Sequence, residues 1–263
     1  MRAKVLGMVV AAAFAATGGA RAADVVSPVT PDVQPVVTES GWTFVVAPYF
    51  WMAGLNGQTS QFGSPVVDID QSFGDILGDL DFGAMAIVEA RKDRFSIFSD
   101  LQYVKISTGD TTPLGILAAR VDLSTSTFVG TLGAGYSLLQ SDRGRLDLAV
   151  GARVWSVDTD LSFTGGILDG VQLDDGATWV DGLVGLRGNY DFTPKLYVTG
   201  WGLIGAGEAD LDWDVAGALG YRFTDRISAV AGYRAIGVDY SNDDGFMFDV
   251  VEHGPIIGAV FRF

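Results

Sequence analysis

The chain has no cysteine. Disulfides are thereby excluded, as is acylation of a lipoprotein cysteine, so any membrane attachment must come from the fold itself. Histidine occurs once, as His253, and every Ser/His, Asp/His or histidine-cluster site would have to use it. Positive charge is scarce: 17 Lys and Arg stand against 32 Asp and Glu, a formal net of −15. So acidic a chain argues against nucleic acid, whose phosphates demand Lys and Arg. After residue 20 there is no apolar run of the roughly 18 residues a helix needs to cross a bilayer. Yet 48% of the residues are hydrophobic and the mean hydropathy is +0.29, high for a soluble protein. In hydrocarbon only helices and closed sheets satisfy every backbone group. With spanning helices excluded, a closed antiparallel β-barrel is left, and 263 residues suit one such all-β domain.

Three segments follow one another. Residues 1–22 read as an export signal, with Arg2 and Lys4 as the positive start and Val5 to Ala16 as the apolar core. Ala20-Arg21-Ala22 supplies the small-x-small cleavage pattern. Removing this segment takes three positive charges from the −15 and leaves a chain near −18. Residues 23–40 carry Pro28, Pro31 and Pro35, a spacing that favours extended, unpaired chain. They read as a periplasmic lead-in, and residues 41–263 as the barrel.

Within the barrel, apolar and polar residues alternate at period two over about ten residues at a time, the transmembrane-strand signal. Gly41 to Thr59 is the first strand, rich in Trp42, Phe44, Tyr49, Phe50 and Trp51, with Pro48 suited to an edge or a bulge. Asp81 to Lys92 sets Phe82, Ala84, Ala86, Val88 and Ala90 against Glu89 and Arg91. Past a Lys92-Asp93-Arg94 turn, Phe95, Ile97, Leu101 and Tyr103 oppose Ser96, Asp100 and Gln102. Strands follow at Arg120 to Leu139, with a phase slip near Phe128 that suggests a bulge, and at Arg145 to Phe163, Thr178 to Phe192 and Leu196 to Gly207. Leu211 to Phe223, Ile227 to Tyr240 and Phe246 to Phe263 complete a set of about ten. Losing a hairpin at the glycine-rich Leu196 to Gly207 would leave eight.

Connections at 92–94, 140–144, 193–195 and 224–226 are short, as periplasmic turns should be, and the alternate ones are mostly longer. An even strand count then puts both termini on the periplasmic side. In the first long connection Phe73, Ile76, Leu77 and Leu80 recur at helix spacing, with Ser72 and Asp75 placed as a capping pair. This predicts a short amphipathic helix in the first extracellular loop, as a lid over the mouth or as packing for the rim.

The last stretch, FMFDVVEHGPIIGAVFRF, places Phe261, Ala259 and Ile257 on one face and Arg262, Val260, Gly258, Ile256, Gly254 and Glu252 on the other. It ends on an aromatic residue. Together with APYFWMAGLNG at 47–57, DILGDLDF at 75–82, EARKDRFSIFSDLQY at 89–103 and YRAIGVDY at 233–240, it resembles a family of bacterial outer-membrane β-barrel proteins, mostly uncharacterised. The resemblance covers most of the mature chain and is silent about activity. It implies a place in the outer membrane, contact with its lipid and lipopolysaccharide, and a monomer. It also implies insertion by the barrel-assembly machinery through the closing strand, with Phe261 and Phe263 as the signal.

Glu89, Arg91, Asp100, Asp147, Arg153, Asp181, Arg187, Asp214, Arg222, Arg234, Glu252 and Arg262 fall on the inward parity and mix both signs. Buried charge is tolerated when paired, so these residues predict a salt-bridged network filling a narrow lumen, with a structural or narrow-pore role. Read as a polar path instead, they would make a selective small-solute or cation channel. Ten strands leave little interior beyond side chains. An outer-membrane hydrolase would need His253 coupled to Asp68, Asp70 or Asp249, which no spacing supports, so no catalytic residue is assigned. Acidic residues gather in the expected loops: Asp158 and Asp160, Asp169, Asp174 and Asp175, Asp210 and Asp212, Asp243 and Asp244. These could serve an adhesin or hold a divalent cation, but no calcium-loop pattern is present. No metal and no cofactor is expected.

Overall fold

The computed structural model describes residues 41–112 and 116–263, so the expected export signal (1–22) and lead-in (23–40) lie outside the described residues. In chain order the elements are β1 (Trp42–Trp51), β2 (Gly54–Ser60), β3 (Val67–Gln71), α1 (Phe73–Gly78), β4 (Leu80–Lys92) and β5 (Phe95–Thr111). Then come β6 (Arg120–Ser141), β7 (Gly144–Thr164), β8 (Gln172–Asp191), β9 (Leu196–Gly207), β10 (Leu211–Arg222), β11 (Ile227–Ser241) and β12 (Met247–Arg262). β4 to β12 pair each with the next, and β1 joins β4 on one side and β12 on the other. The result is a closed antiparallel barrel of ten strands. Closure pairs the strands all round the wall, the condition for a sheet to sit in hydrocarbon; the edges left unpaired are the outer one of β3 and the facing upper ends of β1 and β4.

The barrel is inside out relative to a soluble one. On β8 the even positions Val180, Val184 and Leu186 face outward and are exposed, while Trp179, Asp181 and Leu183 between them are buried. The same alternation puts Val150, Ile204, Val215, Leu219 and Ile257 outside and Arg153, Asp214 and Arg234 inside, each of these three at most 1% exposed. At the short-turn end the outer face carries aromatic pairs, Phe95 with Tyr136, Tyr190 with Phe192 and Tyr221 with Phe223, at centroid separations of 5.1, 5.6 and 5.4 Å. Aromatic girdles of this kind suit headgroup depth, where a ring can be half wet.

Three local expectations are corrected. The first strand does not run unbroken from Gly41 to Thr59: it stops at Trp51 and resumes as β2. Both pieces lie along β12, β1 against Ile256 to Arg262 and β2 against Met247 to His253. Met52 N–H still donates to Pro255 O at 2.9 Å across the break. The upper piece turns away from β4 to pair with β3, a strand the sequence pattern did not reveal. No bulge occurs near Phe128, which pairs regularly with Tyr103 and Ser156; the shift on this strand lies between Ser137 and Leu139. Asp158, Asp160, Asp174 and Asp175 are not in loops, because β7 and β8 extend past the expected ends and the loop shrinks to residues 165–171. Asp212 is not in a loop either, as it is fully buried on β10.

The helix forms where expected. Ser72 caps it, its side chain accepting from Asp75 N–H while the Asp75 carboxylate accepts from Ser72 N–H. The Ser72 hydroxyl, which donates to the Asp75 carboxylate at 2.6 Å, and then the Ser72 N–H hold that carboxyl below its ordinary pKa.

The seam between β12 and the broken first strand is close-packed at glycine. Gly57 sits at φ +148°, and a Cβ there would lie 2.1 Å from Asp249 O; one on Gly254 would lie 2.0 Å from Met52 O. Gly254→Ala therefore overpacks the seam between β12 and the β1–β2 break. The expected loss is about 1–3 kcal/mol, read as a lower urea midpoint of the refolded barrel. An unchanged midpoint would mean that the seam is not close-packed.

Candidate functional site

The lumen is built in layers, because residues two apart on each strand stack along the inner wall. Nearest the short turns, Glu89 accepts from Arg91 at 3.0 Å and ion-pairs with Arg187 at 3.2 Å and Arg145 at 3.3 Å. Asp147 accepts from Arg91, from Arg145 at 3.3 Å and from the Ser137 hydroxyl at 2.6 Å. The Arg187 guanidinium also lies 3.9 Å from the centre of the Phe98 ring. At the same end, Arg222 makes a bidentate pair with Asp191 at 2.8 and 2.9 Å. Arg262 donates to the Ser228 hydroxyl at 3.2 Å.

The middle layer crosses the lumen. From β7, Arg153 reaches Asp212 at 2.5 Å and Asp214 at 2.7 Å on β10, three strands away along the wall. From β11, Arg234 reaches Asp214 at 2.6 Å, Asp100 on β5 at 2.7 Å and the Tyr49 hydroxyl on β1 at 2.8 Å. Tyr49 in turn donates to Asp100 at 2.8 Å. The indoles of Trp155 and Trp201 donate to Asp212 and Asp214 at 3.0 and 2.8 Å. Six strands are thus tied across the axis, with Arg153, Arg234, Asp212 and Asp214 each at most 1% exposed.

Above this layer the lumen is mostly apolar. Trp155 stacks on Trp179 at 5.8 Å and Trp179 on Tyr240 at 4.1 Å, with Phe246 and Phe248 against them. Beside this cluster lies a cavity of about 400 Å³ lined by Trp51, Leu55, Ile76, Met85, Gln102, Val129, Phe248 and Glu252. A second cavity of about 230 Å³ lies among the lower charges. Tyr49 lines both.

Of the twelve inward charges read from the sequence, nine lie in these ion-paired layers: Glu89, Arg91, Asp100, Asp147, Arg153, Arg187, Asp214, Arg222 and Arg234. Arg262 is held by hydroxyl and ring contacts. Asp181 is fully buried and accepts from Ala209 N–H at 2.9 Å, while its Oδ2 has no partner. Glu252 makes no ion pair or hydrogen bond among the described residues and faces the upper cavity. Sequence reasoning missed Tyr49, Arg145, Asp191 and Asp212. Asp212 shares the inward parity of Asp214, which was signal enough. Tyr49 reads from sequence as one more interfacial aromatic.

His253 faces outward at the rim, its Nδ1 2.7 Å from the Tyr233 hydroxyl and its Nε2 3.1 Å from Asn56 Oδ1. Asn56 donates to Asp70 at 2.6 Å, so an amide stands between the imidazole and that carboxylate. Phe261 pairs with Val46 and Ile227 along the seam, and Phe263 exchanges backbone hydrogen bonds with Phe44 at 2.9 and 3.2 Å. Among the described residues no group of three or more His, Asp or Glu is placed to hold a metal ion.

No family model matches the chain, and no curated protein does. The solved structures it is similar to are bacterial outer-membrane barrels. The outer-membrane protease OmpT of Escherichia coli is 13% identical over 86% of this chain and 98% of its own, with TM-score 0.47. The attachment invasion locus protein Ail of Yersinia pestis is 11% identical over 85% and 99%, with TM-score 0.36. Neisserial surface protein A is 13% identical over 85% and 98%, with TM-score 0.33. The likeness is one of fold alone: the strand pairing makes the chain a closed, ten-stranded antiparallel β-barrel.

Proposed function

We propose that the protein is an integral outer-membrane barrel that does not conduct, its lumen sealed at mid-height by its own charges. One observation carries this reading: Arg153 and Arg234 span the axis to Asp212, Asp214, Asp100 and Tyr49, and separate the lower cavity from the upper. With it go export by residues 1–22, contact with outer-membrane lipid and lipopolysaccharide, and insertion through the β12 strand by the assembly machinery. The barrel acts as a monomer and has no catalytic role.

Refolded protein in a planar bilayer is expected to give no single-channel steps. Tyr49→Ala combined with Arg234→Ala removes the two side chains between the cavities and leaves Asp100 and Asp214, so small cation-selective steps are expected from that variant. Steady steps from the unaltered barrel would overturn the sealed lumen.

A further inference from the structure

The barrel wall has a window. β1 pairs with β4 from Trp42↔Lys92 up to Pro48↔Ala86 and no further. Above that point Tyr49, Phe50 and Trp51 on one side, and Leu80 to Met85 on the other, face each other without ladder bonds, β4 pairing there with β5 alone. The physical cause is plain, since Pro48 has no N–H to give and the first strand then turns aside to meet β3. α1 runs from the end of β3 to the start of β4, so it forms the lintel. Its Phe73 packs edge-on against Phe50 at 5.9 Å.

Behind the window is the 400 Å³ cavity, whose lining runs from the window edge (Phe50, Phe73, Gly83) into the lumen. The volume falls at the low end of the roughly 300–1,000 Å³ of small-molecule sites, enough for one chain and too little for a lipid with several. Thr59, Gln61, Gln71, Thr125, Thr127 and Thr159 also line the cavity, and two further polar side chains stand out. Gln102 is 4% exposed, and its Nε2 is a buried donor with no partner. Glu252 is the inward carboxylate without a partner described above. A buried donor left unmade costs about 1–3 kcal/mol, and an unpartnered donor on a residue lining the cavity points to a ligand that satisfies it.

We propose that this cavity binds one free single-chain amphiphile with a hydroxyl end group, admitted from the membrane through the β1–β4 window. The hydroxyl can accept from Gln102 and donate to Glu252, whereas an ionised fatty acid could only accept and would bring its charge against Glu252. The inference rests on the sealed lumen, because the layer around Arg234 forms the cavity floor.

The test uses the refolded full barrel in phospholipid vesicles, with bromine-tipped dodecanol, dodecane and dodecanoate as probes. Bromine reaching the cavity quenches Trp51, one of its walls. Saturable quenching by the alcohol is expected, at least tenfold tighter than by the alkane or the carboxylate. Gln102→Leu should abolish the preference for the alcohol over the alkane. Gly83→Trp, where an added Cβ meets only Leu80 at 3.9 Å and Tyr103 O at 4.0 Å, should block the window and weaken all binding at least tenfold. Linear, non-saturating quenching equal for all three probes would overturn the proposal, as would saturable binding that neither variant alters. Heat-modifiable gel migration checks folding of each variant. Conductance, read on the same samples, reports the seal independently, so a dry cavity in a non-conducting barrel sinks this inference alone.

Discussion

Asp214→Ala should cost the refolded barrel about 3–5 kcal/mol of unfolding free energy, the cost of stranding buried charge. The carboxylate is 1% exposed and accepts from Arg153, from Arg234 and from the Trp201 indole. Removing it leaves two buried guanidinium groups short of counter-charge at once. Asp122→Ala is the matched control, because its partner Arg120 is 50% exposed at the rim. There the expected change is at most about 1 kcal/mol, since solvent already screens the pair. Urea titration of vesicle-embedded protein, followed by tryptophan emission, measures both. Equal small losses would mean that the middle layer is hydrated and the lumen open.

Val184→Arg should cost about 2–4 kcal/mol in a bilayer, because the outward face of β8 meets acyl chains at this depth. Val184 is 47% exposed and is paired with Val150 and Ile204 on the neighbouring strands, well inside the apolar band. On a soluble barrel an arginine at so exposed a position would be nearly neutral. Tyr190→Arg, at the girdle near the short turns, should cost no more than about 1 kcal/mol, since the side chain reaches headgroups. The same urea titration decides, and a loss that does not depend on depth would contradict the lipid-facing assignment.

Much of this architecture was legible in the sequence, and for a definite reason. Period-two alternation reports which face a strand residue takes, so Val184 and Asp181 could be placed on opposite sides of β8 without coordinates. The even count of strands, the short turns and the Ser72–Asp75 helix cap are equally local signals. Distances across the axis are not local. Arg153 finds Asp212 and Asp214 from three strands away, and nothing in their spacing says so. Arg234 meets Tyr49 across a sequence separation of 185 residues. Alternation also cannot tell a charged filling from an aromatic one, which is why the stack of Trp155, Trp179 and Tyr240 went unread. The window escaped for a related reason. Pro48 announced a disturbed ladder, but that β2 leaves β4 for β3 is fixed only by the tertiary pairing.

Sidedness itself can be read residue by residue. The chain has no cysteine, so single-cysteine variants from Thr178 to Tyr190 can each carry one nitroxide label in a lipid vesicle. Relaxation by oxygen, which concentrates in acyl chains, should rise at Val180, Val184 and Leu186 and fall at Trp179, Asp181 and Leu183, a strict alternation along β8. High accessibility to a water-soluble nickel chelate at the outward positions, with the alternation lost or reversed, would contradict an apolar face turned to lipid around a sealed charged interior.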